Sequence, residues 1–164
     1  MPTVHLICGS TGAGKTTYAA AIAARIGAVR LSIDEWMATL FIADRPDPPS
    51  VGWALERLER CERQMWLLAQ QLIERDIDVV FDLGLSTRDQ RERMRMLVAQ
   101  TRAESKLHYL DVSVETRRSR VLQRGAQTRG QSFEISRPMF DAMESYFEPP
   151  TDDELYGAMI VCED

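Results

Sequence analysis

An α/β fold, a parallel sheet with helices on both faces, is predicted by three observations. Short apolar runs alternate with helix-length amphipathic stretches along the whole chain. The first apolar run passes into a helix through a glycine-rich turn, Gly9-Ser10-Thr11-Gly12-Ala13-Gly14-Lys15-Thr16-Thr17. The length, 164 residues, suits one domain spanning 1–164 with a full core.

The elements follow in order. Residues 3–8 form the first strand on the apolar run from Val4 to Cys8, and residues 15–26, rich in alanine, form the first helix. Gly27 stops that helix. Residues 28–32 read as the second strand and 33–41 as a short helix. Residues 43–52 carry Asp44, Pro46, Asp47, Pro48, Pro49 and Ser50, a loop composition. Over 53–75, Ala54, Leu58, Cys61, Met65, Leu68 and Leu72 recur every three or four residues, which makes a long helix with a charged outer face. Residues 78–83 form a buried third strand, 87–102 a charged amphipathic helix, 106–112 a fourth strand and 114–124 an arginine-rich helix. A polar loop over 125–133 belongs to a short lid at about 125–135. Ser136 and Pro138 open a further helix over 136–147. Pro149 and Pro150 make 148–154 a turn, and 156–162 is the last strand.

Composition narrows the function classes. Hydrophobic residues make up 45% and charged residues 27%, ordinary for a globular chain. No apolar run reaches the ~20 residues that span a bilayer, and no signal peptide is visible, so a cytoplasmic location is expected. The net charge of −5 argues against a broad nucleic-acid surface. The cysteines Cys8, Cys61 and Cys162 form no C-x-x-C pair, and Cys8 and Cys162 read as buried in strands. Only Lys15 and Lys106 are lysines; all other basic residues are arginines. Spacing leaves the oligomeric state open between monomer and homodimer.

The glycine-rich turn fits G-x-x-x-x-G-K-[ST], a phosphate-binding loop. Glycines let successive backbone N–H groups curl toward phosphate oxygens, and the positive end of the following helix adds attraction. The segment Gly9, Ser10, Thr11, Gly12, Ala13, Gly14, Lys15, Thr16, Thr17 is thus expected to hold ATP. Lys15 is expected to reach the β- and γ-phosphates, and the Thr16 hydroxyl to ligate Mg²⁺. Asp34, just past the second strand, lies on the same sheet edge and suits a general base toward an attacking hydroxyl, or a helix N-cap. Glu35 suits the first helical turn. Asp82 ends the third strand, where a carboxylate holds Mg²⁺ or its waters.

Arg117, Arg120 and Arg124 share a helix face, with Arg129 in the loop beyond, and at least one is expected at the phosphates. Trp36, Phe41 and Trp53 suit an acceptor pocket or the core, and Arg45, Arg88 and Arg91 suit an anion or the surface. His5 and His108 lie within strands, which argues against a catalytic use.

Taken together, Gly9 to Thr17, Ser32-x-Asp34, Val79-Val80-Phe81-Asp82 and Arg120-x-x-x-Arg124-Gly125 resemble the zeta-toxin-like branch of P-loop kinases. That branch includes chloramphenicol phosphotransferase, polynucleotide kinase domains, gluconate-kinase-like enzymes and AAA-type ATP-binding proteins. The resemblance implies a three-layer P-loop NTPase fold with strand order 2-3-1-4-5. It implies that Lys15 and Thr16 serve phosphate and Mg²⁺, that Asp34 is the base, and that Arg120 and Arg124 are lid-side contacts to phosphate or adenine. Polynucleotide kinases usually carry an arginine three residues after the base; Met37 stands there, which argues against a polynucleotide end as acceptor. The leading expectation is an ATP-dependent kinase acting on the hydroxyl of a small molecule. A regulatory ATPase without an acceptor and a nucleotide or RNA 5′-hydroxyl kinase are the alternatives.

Overall fold

The computed structural model describes residues 1–48, 50–127 and 135–163. Five parallel strands, β1 (Thr3–Cys8), β2 (Val29–Ser32), β3 (Val79–Asp82), β4 (Glu104–Val112) and β5 (Met159–Glu163), lie in the order β2-β3-β1-β4-β5. This is the three-layer P-loop NTPase arrangement that the sequence predicts. The connections are α1 (Lys15–Ile26), α2 (Ile33–Phe41), α3 (Val51–Ile73), α4 (Arg88–Ala99), α5 (Val114–Gln127), α6 (Arg137–Tyr146) and α7 (Asp152–Leu155).

The sheet buries both faces. On one, Val4, Leu6, Leu31, Val79 and Phe81 meet Cys61, Met65, Ala69 and Ile73 of α3 and Met94 and Val98 of α4. On the other, Ile7, Val80, Leu110 and Val112 meet Ala19, Ile22 and Ala23 of α1. Strands covered on both sides need continuous apolar runs, and Val79-Val80-Phe81 is fully buried accordingly. Alanines at the α1 contact let that helix lie close on the sheet.

Several boundaries move. Ser50 caps α3 by accepting from the Trp53 N–H at 3.3 Å, which starts the helix at Val51. A 3-10 turn over Ile42–Asp44 follows α2. Residues 125–127 continue α5 rather than opening a loop. Residues 128–134, most of the expected lid and Arg129 with them, lie outside the described residues. The turn expected over 148–154 contains α7, nucleated where the Glu154 carboxylate accepts from the Thr151 N–H at 3.0 Å. Cys162 is exposed, against expectation, because β5 is an edge strand. Among the described residues no helix is long and apolar enough to cross a membrane.

A polar chain runs through the apolar interior on the α1 side. His5 Nδ1 and His108 Nε2 stand 2.9 Å apart, and the Tyr18 hydroxyl stands 2.8 Å from His108 Nδ1. His108 is fully buried, and burial, then the neighbouring His5, Lys106 and Arg25, push its imidazole down to about 4. Between the ordinary value of 6.5 and about 4, the unfolded chain binds a proton here that the folded chain does not. Stability therefore falls with pH in that window, by about 2 kcal/mol at pH 5. Urea midpoints at pH 7.5 and 5 should show this drop, and His108→Gln should remove most of it. Equal drops in both proteins would refute the assignment.

Candidate functional site

The phosphate-loop sequence leaves β1 at Cys8 and enters α1 at Lys15. Gly12 and Gly14 take φ of +83° and +87°, a left-handed conformation that side-chain-bearing residues avoid. A Cβ on Gly12 would also stand 2.7 Å from the Arg117 carbonyl oxygen, so the loop sits directly on α5. Two backbone bonds fix the curl: Ala13 N–H donates to Ser10 O at 3.1 Å, and Tyr18 N–H to Gly14 O at 3.0 Å. Thr16 and Thr17 are exposed on the first turn of α1.

Lys15 folds back over the loop, and its Nζ donates to Ser10 O at 3.1 Å. Burial depresses its ammonium, while Asp82, Cys8 and Asp34 nearby act the other way. Asp34 stands in the first turn of α2, and Asp82 closes β3 in register with Ser32. The Asp34 carboxyl is held above the usual range by partial burial and then by the negative charge of Asp82, with Lys15 opposing. Lys15, Asp34 and Asp82 thus feel one another at a single sheet edge.

Arg30 of β2 is a member of this edge that sequence reasoning missed. Its Nη1 donates to Asp82 Oδ2 at 3.4 Å, and its Nη2 pairs with Glu35. Glu35 therefore serves an ion pair as well as a first helical turn. Alternation along β2 was the available signal, since Arg30 shares a face with Ser32.

The arginines divide. Arg120 lies over the loop, its Nη1 3.9 Å from where a Cβ on Gly14 would stand. It lines a cavity of about 430 Å³ with Gly12, Gly14, Thr17, Tyr18 and Val161. The side chain of Arg124 lies outside the described residues. Arg117, expected as a possible phosphate ligand, is instead buried and bidentate to Glu144, at 2.6 and 2.7 Å. It also donates to Val112 O at 2.8 Å and Thr11 O at 3.3 Å. Ser10 Oγ donates to the same carboxylate at 2.7 Å, and Thr11 Oγ1 to Met143 Sδ at 3.6 Å. The Ser10 and Thr11 side chains thus anchor the loop to α6. Helical spacing could not reveal Glu144, which is remote in sequence.

Arg91 is likewise structural: buried, bidentate to Glu154 at 2.7 and 3.1 Å, and donating to Leu85 O and Glu148 O. Arg88 is exposed, 4.0 Å from Asp153. Trp36 and Phe41 pack against the core, while Trp53 stacks on Arg57, the guanidinium carbon 4.2 Å from its ring centre.

The donor set fits a magnesium nucleotide. The left-handed glycines Gly12 and Gly14 permit the curl that aims backbone N–H groups at a phosphate, and a hydroxyl such as that of Thr16 and a carboxylate such as that of Asp82 are the hard oxygen donors that Mg²⁺ takes. Among the described residues no group of three or more His, Cys, Asp or Glu could hold a metal by itself.

The comparisons agree with the fold. The sequence model of the AAA domain family matches residues 4–150, well over half of the chain. No curated protein matches the chain. Among solved structures, a sugar kinase from a Janibacter species is similar at 15% identity and a TM-score of 0.66, over 99% of this chain and 86% of that one. Kti12 of Chaetomium thermophilum, in complex with ADP-AlF3, is similar at 16% and 0.70, over 98% and 89%. The APS kinase CysC of Mycobacterium tuberculosis, in complex with AMPPNP and APS, is similar at 17% and 0.66, over 99% and 89%. At these identities the likeness shows the fold.

Removing Glu144 would strand the buried Arg117 charge and release Ser10. Glu144→Ala should cost about 3 kcal/mol in urea denaturation and weaken ADP binding by calorimetry. Unchanged values for both would show that the clamp does not shape the loop.

Proposed function

The chain belongs to the AAA domain family, and we propose that it is an ATP-dependent kinase that phosphorylates a hydroxyl of a small molecule. The observation that carries this reading is the meeting of Lys15, Asp34 and Asp82 at one sheet edge beside the phosphate loop.

In this reading the backbone N–H groups from Gly9 to Thr17 bind the phosphates of ATP. Lys15 spans the β- and γ-phosphates, and its half-buried amine neutralises charge where water is scarce. Thr16 and Asp82 hold Mg²⁺, which supplies charge neutralisation across the phosphates when bound. Arg120, with Arg124 beyond it, stabilises the transferring phosphoryl group or the adenine, and the cavity beside Thr17 and Tyr18 takes the nucleoside. Asp34 accepts the proton of the acceptor hydroxyl as its oxygen bonds to the γ-phosphorus and the bond to the β-phosphate oxygen breaks. The products are ADP and a phosphate ester. The acceptor approaches over α2 and the start of α3. ATP supply places this work in the cytoplasm.

Transfer of labelled γ-phosphate from ATP into a fractionated metabolite extract tests the reading. A labelled small molecule should form with the wild type. Asp34→Asn should lower its rate by ~10²-fold or more with little change in the KM for ATP. Label found only as free phosphate, equally with both proteins, would refute it. Because the Asp34 carboxyl is raised, the acid limb of the kcat profile should lie above the ordinary carboxylate range, activity rising with pH through it. A limb at the ordinary carboxylate value would remove Asp34 as base. Lys15→Ala should abolish transfer.

A further inference from the structure

The polar chain on the α1 side of the sheet reaches the wall of a cavity. Tyr18 stands on the first turn of α1, its N–H bonded to Gly14 O at 3.0 Å. It lines the cavity of about 430 Å³ beside the phosphate loop, together with Ala21, Leu110, Val112, Val161 and Arg120. A space of that order holds a small molecule, and aliphatic walls beside an aromatic side chain suit a flat ring. The Tyr18 hydroxyl reaches the fully buried His108, 2.8 Å from its Nδ1, and lies 3.4 Å from Met159 Sδ. His108 cannot shift to follow it. In β4 it pairs with Ile7 of β1 on one side and Met159 of β5 on the other, and its Nε2 meets His5 Nδ1 at 2.9 Å.

Packing alone does not call for such a chain. An aliphatic or phenyl side chain would fill the same interior without polar atoms to satisfy, whereas a buried imidazole needs partners. What the chain adds is direction. Turning the Tyr18 ring away would leave Nδ1 of His108 without its partner in the core, a costly state, so the ring is held as a fixed wall. A wall fixed in advance costs a ligand less ordering on binding. Resting on the nucleotide reading above, we propose that Tyr18 binds the nucleoside of the phosphate donor and that His108 is its positioning residue, holding the ring in place through the phenol–imidazole hydrogen bond. The phosphate loop takes the phosphates, so two separate devices read the two halves of the nucleotide.

ADP and inorganic tripolyphosphate, each with Mg²⁺, separate those halves. The chain has two histidines, so ¹H–¹⁵N spectra of the imidazoles show two rings, assigned by the loss of one in His108→Leu. On the wild type, ADP should shift the His108 ring signals saturably and tripolyphosphate should leave them in place. By calorimetry, Tyr18→Leu should weaken ADP binding roughly tenfold while tripolyphosphate stays within about twofold of the wild type. Tyr18→Phe and His108→Leu should each weaken ADP by about threefold, and the double variant by no more than either alone. ADP bound with an unmoved His108, equal shifts with both ligands, or full ADP binding by Tyr18→Leu overturns the proposal. The spectra need only the wild-type fold, so a variant that fails to fold does not rescue it. Failure of the wild type to bind either ligand would take down the nucleotide reading as well, whereas ADP bound with an unmoved His108 takes down this inference alone.

Discussion

Ser32 pairs with Asp82, and Leu6 with Phe81, in a sheet whose strands all run one way. From that register the rest of the site follows. Three strands end at one level, and the chain leaves each at that level: β1 into the phosphate loop, β2 into α2 with Asp34 in its first turn, β3 at Asp82 itself. Two carboxylates that would repel each other are brought together where the Lys15 amine offsets them. A one-residue slip of β3 would turn Asp82 to the opposite face and leave Lys15 against an apolar side chain.

Arginines complete what the strands begin. Arg117 and Arg91 are each buried, each bidentate to a glutamate from a later segment, and each donates to loop carbonyls besides. A planar fork can satisfy a carboxylate and a carbonyl at once, which an ammonium cannot do with the same geometry. Arg117 ties the phosphate loop and the end of β4 to α6. Arg91 ties the β3–α4 connection, where Leu85 takes a strained φ of +42°, to α7. Arginine stands in place of lysine nearly everywhere in the chain, and these staples show what that permits in the interior.

The parts of the molecule that were legible in the sequence are those fixed by local physics. The phosphate loop, α1 and β3 announce themselves through glycine spacing and unbroken apolar runs, and Asp34 and Asp82 through their place at strand ends. The strand order came from resemblance, because alternation predicts a parallel sheet without ordering it. The role of Arg117 stayed open because spacing defines a helix face but not what that face meets; Glu144 arrives from α6, remote in sequence. The helix α7 was hidden by Pro149 and Pro150, whose turn signal overrode the Thr151–Glu154 cap. Cys162 was misread because an apolar run looks alike in a central strand and at a sheet edge.

That last difference sets the thiol chemistry of the chain. Cys8, immediately before the phosphate loop, is buried with its thiol pushed up to about 11, chiefly by desolvation, and it donates to Leu85 O at 3.5 Å. Thiolate is the reactive form, so this sulfur stays silent toward alkylating reagents and peroxide. Cys61 is buried on the sheet-facing side of α3. Cys162 alone faces solvent, two strand spacings or roughly 10 Å across the sheet from β1. A maleimide dye would therefore mark a single place, the outer strand, and leave the glycine cradle untouched.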